Sequence, residues 1–208
     1  MHRQFDHRNL FAHPFVVGLL SALVFAIAGL LLRGNPAGPA VAAVASLCTV
    51  LALTGSAQER AVFRLAETLL TPASGHGTIA LVLLLAGRIA AVAAIGAVSE
   101  AGVLAALLAG PVVSRFAPLL AAHWAAHEGS EDGAALRLAA LWCVLPLALM
   151  LLAEGVAFLL LALAGAALAW IALLRFFRSR PGNFDAQRAA ALQQVCELAF
   201  YLGASVGA

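Results

Sequence analysis

Apolar stretches of roughly 20 residues recur along nearly the whole chain, separated by short polar breaks. A helix needs about 20 mostly apolar residues to cross a bilayer. The pattern therefore predicts spans at about residues 15–32, 37–53, 78–97, 101–122, 138–152, 156–174 and 189–206. This is an all-α, polytopic integral membrane bundle of about seven transmembrane helices, or six if the last stretch only half-inserts. Arg33-Gly-Asn-Pro, Glu100 and Glu154-Gly155 read as turns between spans. Residues 1–208 read as one membrane domain, with polar segments at 1–12, 54–74 and 175–188.

Two stretches depart from this pattern. Gly110-Pro111 interrupts the fourth span, with Ser114 and Arg115 just beyond. Backbone groups freed in hydrocarbon need protein or a wet cavity, so the chain is expected to break there, against a polar pocket. In residues 54–74, Val62, Phe63, Leu65, Ala66, Leu69 and Leu70 fall at helical spacing, while Glu59, Arg60, Arg64 and Glu67 mostly take the other face. That spacing predicts an amphipathic helix lying at the interface.

Composition agrees with a membrane protein: 63% of the 208 residues are hydrophobic and 11% charged. A net charge of only +2 leaves no electrostatic footprint for nucleic acid. The first apolar run ends at Arg33 rather than at an A-x-A site, so it reads as a span and not a cleaved signal. Cys48, Cys143 and Cys196 lie isolated in apolar runs and form no disulfide framework.

All twelve basic residues are arginine, and their placement orients the chain. Arg3, Arg8, Arg60, Arg64, Arg137, Arg175, Arg178, Arg180 and Arg188 collect on one side of the predicted topology, and Arg33 alone on the other. Basic loops stay inside, which puts the N-terminus in the cytoplasm and the protein in a bacterial cytoplasmic membrane. Small residues in 37–46 and 162–169 predict close helix packing. The first partner is the lipid bilayer; a homo-oligomer or a larger membrane complex would suit the same surfaces. No internal repeat supports a carrier, although broken helices with buried charge also suit transport.

Three ionised groups fall inside spans: Arg88, Arg115 and Glu197. A charge in a span is a functional-site hypothesis, and opposite charges invite pairing. Gln193, Gln194 and Glu197 lie within one helical turn, a polar stripe suited to gluing helices or lining a pocket. The cytoplasmic ends of spans three, four and seven are expected to converge around these groups. Gly75 and Gly77, before a helix start and near the cytoplasmic arginines, suggest an anion site. His123 and His127 have metal-ligand spacing, but only Glu128, Glu131 and Asp132 stand near, and a solvated loop is the simpler reading.

The order of these motifs resembles the cobalamin synthase family, adenosylcobinamide-GDP ribazoletransferase, in a shortened and degenerate form. Residues 14–18, PFVVG, resemble its first-span motif. Thr54-Gly55 resembles the T-G before its acidic H-E-D-G-L-A-D-T signature, and residues 74–78, SGHGT, its S-R-x-G-T-x-G segment. Ser114-Arg115 matches an S-R in a span, and Gln193-Gln194 with Glu197-Leu198 resemble C-terminal elements. Where the acidic signature should lie, residues 58–68 read QERAVFRLAET, without the paired aspartates. The C-terminal G-G-x-T-G-D reads GNFDAQ at 182–187, with Gln187 in place of the acid.

The resemblance implies displacement of GMP from a GDP-activated cobinamide by a ribazole hydroxyl. It implies Glu59, Glu67, Arg115 and Glu197 as catalytic residues, and Gly75, Gly77, Arg88, Ser114, Gln193 and Gln194 as substrate- or phosphate-binding residues. Mg2+, if the chain is catalytic, would fall to Glu59, Glu67 and Asp185. Loss of the aspartates implies altered or lost activity. The alternative is a non-catalytic structural or assembly subunit built on the same fold.

Overall fold

The structure is a computed structural model. It describes the backbone over residues 7–69, 75–125, 133–180 and 184–208, with side chains from residue 14 onward within these segments except at a few of their ends. Among the described residues it is all helical: α1 (His7–Leu31), α2 (Gly38–Thr54), α3 (Ala57–Leu69), α4 (His76–Val98), α5 (Glu100–Ala125), α6 (Gly133–Arg178) and α7 (Ala186–Gly207).

Four stretches are long and apolar enough to cross a membrane: Pro14–Leu31, His76–Val98, Glu100–His123 and Leu136–Arg178. The bent pair Gly38–Thr54 and Ala57–Thr68 makes a fifth if taken as one span. The 43 residues of the last stretch are about twice what one crossing needs. Its backbone leaves the helix at Gly155, φ 84° and ψ −170°, a conformation open almost only to glycine. There the chain reverses. Residues 14–18 of α1 lie beside the middle of α5: a methyl on Gly18 would meet the Leu107 and Leu108 carbonyls, and the Phe15 ring lies 6.3 Å from that of Trp142, tilted at 52°. Glu154 instead lies against Gly102, and Trp170 donates to the Ala117 carbonyl at 3.0 Å. The limb before Gly155 thus runs against α5 and the limb after it runs alongside. Ser99 secures the corner, donating to Glu154 while accepting the Gly102 amide.

The outward faces are aliphatic. Leu19, Leu23, Ile27 and Leu30 of α1, Val82 and Leu83 of α4, and Leu141, Leu160 and Leu168 of α6 are all exposed. Such a continuous apolar exterior is an aggregation liability in water and the proper outer face in hydrocarbon. α7 is the opposite case. It is largely buried among α3, α4, α5 and α6.

The predicted break at Gly110-Pro111 does not occur. α5 continues as a helix through both Pro111 and Pro118. Proline removes one amide and crowds the carbonyl four residues back, here that of Leu107. That carbonyl is met by the backbone of α1 at Gly18, where a side chain would intrude at 3.0 Å. Gly110 has a different duty: an added methyl would collide with the Tyr201 phenol of α7.

The amphipathic helix expected within 54–74 is present as α3, and it differs from expectation in one residue. α2 and α3 meet at about 90°, across Gly55 and Ser56, both at positive φ. α3 packs on α4 and α7, and its buried face is Glu59, Val62 and Ala66. Glu59 therefore belongs to the inner face of α3, not to the polar face with Arg60 and Arg64.

The described arginines sort by end. Arg33 and Glu100 line one cavity, so the α1–α2 and α4–α5 turns share an end of the bundle. The α3–α4 junction and the start of α7 lie at the other, with Arg60, Arg64, Arg178 and Arg188.

Candidate active site

The intramembrane charges meet. Arg88, halfway along α4, pairs with Glu197 of α7, and both are almost fully buried. The guanidinium also donates to Gln194 Oε1 at 3.4 Å, and Tyr201 donates its phenol proton to Glu197 Oε1 at 3.1 Å. The Tyr201 ring lies 5.5 Å from the Arg88 guanidinium carbon, a cation–π distance. Gln194 in turn donates to Gln58 Oε1, which carries the network to α3. Successive turns of α7 supply Gln194, Glu197 and Tyr201, since positions three or four apart share a helix face.

Glu59, one residue from Gln58, is 3% exposed, and neither carboxylate oxygen has a hydrogen-bond partner among the described residues. It lies within electrostatic reach of Arg88. A buried carboxylate without donors is unfavourable by several kcal/mol unless neutralised or liganded, on the order of the handicap of any buried ion. Such a group in a native fold is explained by a bound water or ion, by strain, or by a catalytic role.

The other sequence-predicted residues fall into three groups. Arg115 is half-buried on α5, within electrostatic reach of Glu197, so it belongs to the same polar centre. Ser114 is buried and turns its hydroxyl to the Pro111 carbonyl at 3.3 Å. Gln193 is buried on α7 beside Gln194.

The three carboxylates expected to hold a metal are not brought together. Glu67 Oε1 accepts the amides of Gly77 at 2.8 Å and Gly75 at 3.3 Å, which fastens α3 to the start of α4. Gly75 and Gly77 therefore engage a carboxylate of this chain, and Glu67 fills the anion place they were expected to offer. Asp185 caps α7, accepting the Arg188 amide at 2.8 Å. Among the described residues no three histidines, cysteines, aspartates or glutamates group as metal ligands. Arg88, expected to bind phosphate, is committed to Glu197 and Gln194. His127, Glu128, Glu131 and Asp132 lie outside the described residues, and His123 is exposed.

Tyr201 and Gln58 were missed as site residues. Tyr201 is the chain's one tyrosine, four residues after Glu197 on a span face. That position was signal enough for a phenol reaching the carboxylate. Gln58 carried no comparable sign, because its partner comes from a helix 136 positions away.

A helical membrane protein with an ion-paired polar centre buried among α3, α4, α5 and α7 is the class these features define. Three curated relatives narrow it. The chain is 34% identical to the adenosylcobinamide-GDP ribazoletransferase of Polaromonas naphthalenivorans (strain CJ2), over 92% of this chain and 82% of the relative. The protein of that name from Albidiferax ferrireducens is 32% identical, over 93% and 85%. That of Rhizobium etli (strain CIAT 652) is 34% identical, over 90% and 82%. The chain belongs to the adenosylcobinamide-GDP ribazoletransferase family, the cobalamin synthases. No family model and no solved structure matches it.

Proposed function

We propose that the protein is a membrane-embedded transferase of the cobalamin-synthesis type, taking a GDP-activated corrinoid and a ribazole and releasing GMP. The relatives' printed names support the reaction class. The observation that carries the reading is Glu59: a buried, unpartnered carboxylate beside a satisfied polar network. In this reading the ribazole hydroxyl oxygen forms the new bond to phosphorus as the bond to GMP breaks, and Glu59 takes the hydroxyl proton. General-base help of this kind contributes about 10²–10⁴-fold. Arg88, Glu197, Gln194 and Tyr201 position α3 against α7 and do not touch substrate.

The three carboxylates implied for Mg2+ do not fit as a cage, and no step here passes through a metal. The reading also places the arginine-rich end in the cytoplasm and the protein in a bacterial cytoplasmic membrane.

The test is GMP release by the purified full chain from a GDP-activated cobinamide with ribazole, with and without magnesium. Product formation that is abolished by Glu59→Gln supports the transferase. One observation favours a second reading: Glu67 and Asp185 are engaged at helix starts, which suits a structural subunit. No release above background, with other membrane proteins co-purifying in fixed proportion, would decide for that subunit.

A further inference from the structure

α1 and the limb of α6 before Gly155 both pack on α5 but scarcely on each other. They leave between them a groove of about 430 Å³, open toward the lipid, in which every lining residue is alanine or leucine. α5 supplies the floor with Ala101 and Ala105, α1 one wall with Ala22 and Ala26, and α6 the other with Leu149 and Ala153. Phe15 and Trp142 join the two walls a turn or two beyond Leu19 and Leu149, which closes that end. At its other end the groove meets a cavity of about 290 Å³ lined by Arg33 and Glu100. Ala26 and Ala101 of the groove adjoin Phe25 and Glu100 of this cavity in the chain. Arg33, just past the end of α1, lies about two helical turns beyond Ala26. Both charges are exposed, and among the described residues they form no ion pair with each other or with a third group. Glu154, the other carboxylate at this corner, accepts from Ser99.

We infer that the groove and its mouth bind one phosphatidylethanolamine from the leaflet at the Arg33 end. An acyl chain lies along the alanine floor, the phosphate meets Arg33 and the ammonium meets Glu100. A concave apolar site with a few polar groups that fix orientation is the usual form of a small-molecule pocket. Left empty, the groove would forfeit van der Waals contact along its whole lining. A second copy of the chain is a poor occupant, because seven residues of helix, about 10 Å long and about 10 Å across, take up about 800 Å³. The two charges choose the headgroup. A guanidinium matches phosphate oxygens, but an anionic headgroup would leave Glu100 beside it uncompensated. The methylated ammonium of phosphatidylcholine has no N–H to donate to a carboxylate. This site is independent of the transferase reading.

The experiment titrates the delipidated full chain in detergent with phosphatidylethanolamine, phosphatidylglycerol and phosphatidylcholine of one chain length. Bound lipid is read by native mass spectrometry, alongside the unfolding temperature. Phosphatidylethanolamine should bind at one per chain, ahead of the other two, and raise the unfolding temperature. Arg33→Gln and Glu100→Gln should each weaken it about two- to five-fold, the range of exposed ion pairs. Glu100→Gln should at the same time strengthen phosphatidylglycerol. Ala26→Phe, which puts a ring into the groove, should remove the bound lipid; if that variant does not fold, the two headgroup variants decide. Equal affinity for the three lipids, unchanged binding in Arg33→Gln, or lipid retained by a folded Ala26→Phe chain would overturn the inference. So would a dimer that Ala26→Phe dissociates, which would give the groove to a second copy.

Discussion

At the scale of single residues, the centre of the molecule is a set of polar groups that hydrocarbon should not tolerate. Removing one member of a buried ion pair typically lowers stability by about 3–5 kcal/mol, because the other is left uncompensated. Arg88→Met and Glu197→Leu should each show such a loss in thermal unfolding of the detergent-solubilised chain. The double variant should recover most of it. Glu59 should behave in the opposite sense. Its carboxylate has no donor among the described residues, so Glu59→Leu should raise stability by about 1–3 kcal/mol while ending any GMP release. A Glu59→Leu chain that melts lower would mean that the carboxylate is already satisfied. The pairing of Arg88 with Glu197 was legible in the sequence, since two opposite charges stranded in apolar spans have few other outcomes. The inward face of Glu59 was also legible in principle, because 59, 62 and 66 keep helical spacing. A carboxylate ordinarily takes the solvated face of an amphipathic helix, and here the packing of α3 on α4 and α7 overrides that preference.

At the scale of elements, α6 and α7 are joined backbone to backbone. A methyl on Gly165 would strike the Ala199 carbonyl, and one on Gly203 the Leu161 carbonyl. Small residues serve membrane helices in this way, since hydrophobic attraction between helices is absent in lipid and close van der Waals contact replaces it. Gly203→Ala should therefore destabilise by about 1–3 kcal/mol, as overpacking does. Gly29→Ala, where nothing lies within 4 Å of the new methyl, should be neutral or stabilising by up to about 1 kcal/mol through helix propensity. Equal effects of the two would refute the interlocked interface. The helices themselves were readable from hydrophobic runs, and Glu154-Gly155 from its turn chemistry. The unbroken α5 was not. Whether a proline breaks a helix depends on what packs beside it, and the backbone packed against the Leu107 carbonyl, at Gly18, is 89 residues earlier in the chain.

At the scale of the whole molecule, the exposed aliphatic belt and the sorting of arginines by end give the orientation a measurable form. In a background lacking Cys48, Cys143 and Cys196, a cysteine replacing Arg64 should label only from the cytoplasmic side. One replacing Arg33 should label only from the opposite side. Labelling of both from one side would contradict the reversal at Gly155 or the turns that share its end. The distribution of arginine made this asymmetry visible in the sequence. The engagement of Glu67 with Gly75 and Gly77 was not visible, because a carboxylate's partner is fixed by the crossing of two helices and not by local pattern.

α7 carries Arg188, Gln193, Gln194 and Glu197, and it is not among the stretches apolar enough to cross on their own. What holds it in place is therefore the protein around it and not lipid: α3, α4, α5 and α6 enclose it, and Arg88 of α4 meets its carboxylate. A lesion in that enclosing groove should loosen the C-terminal helix and the polar centre together.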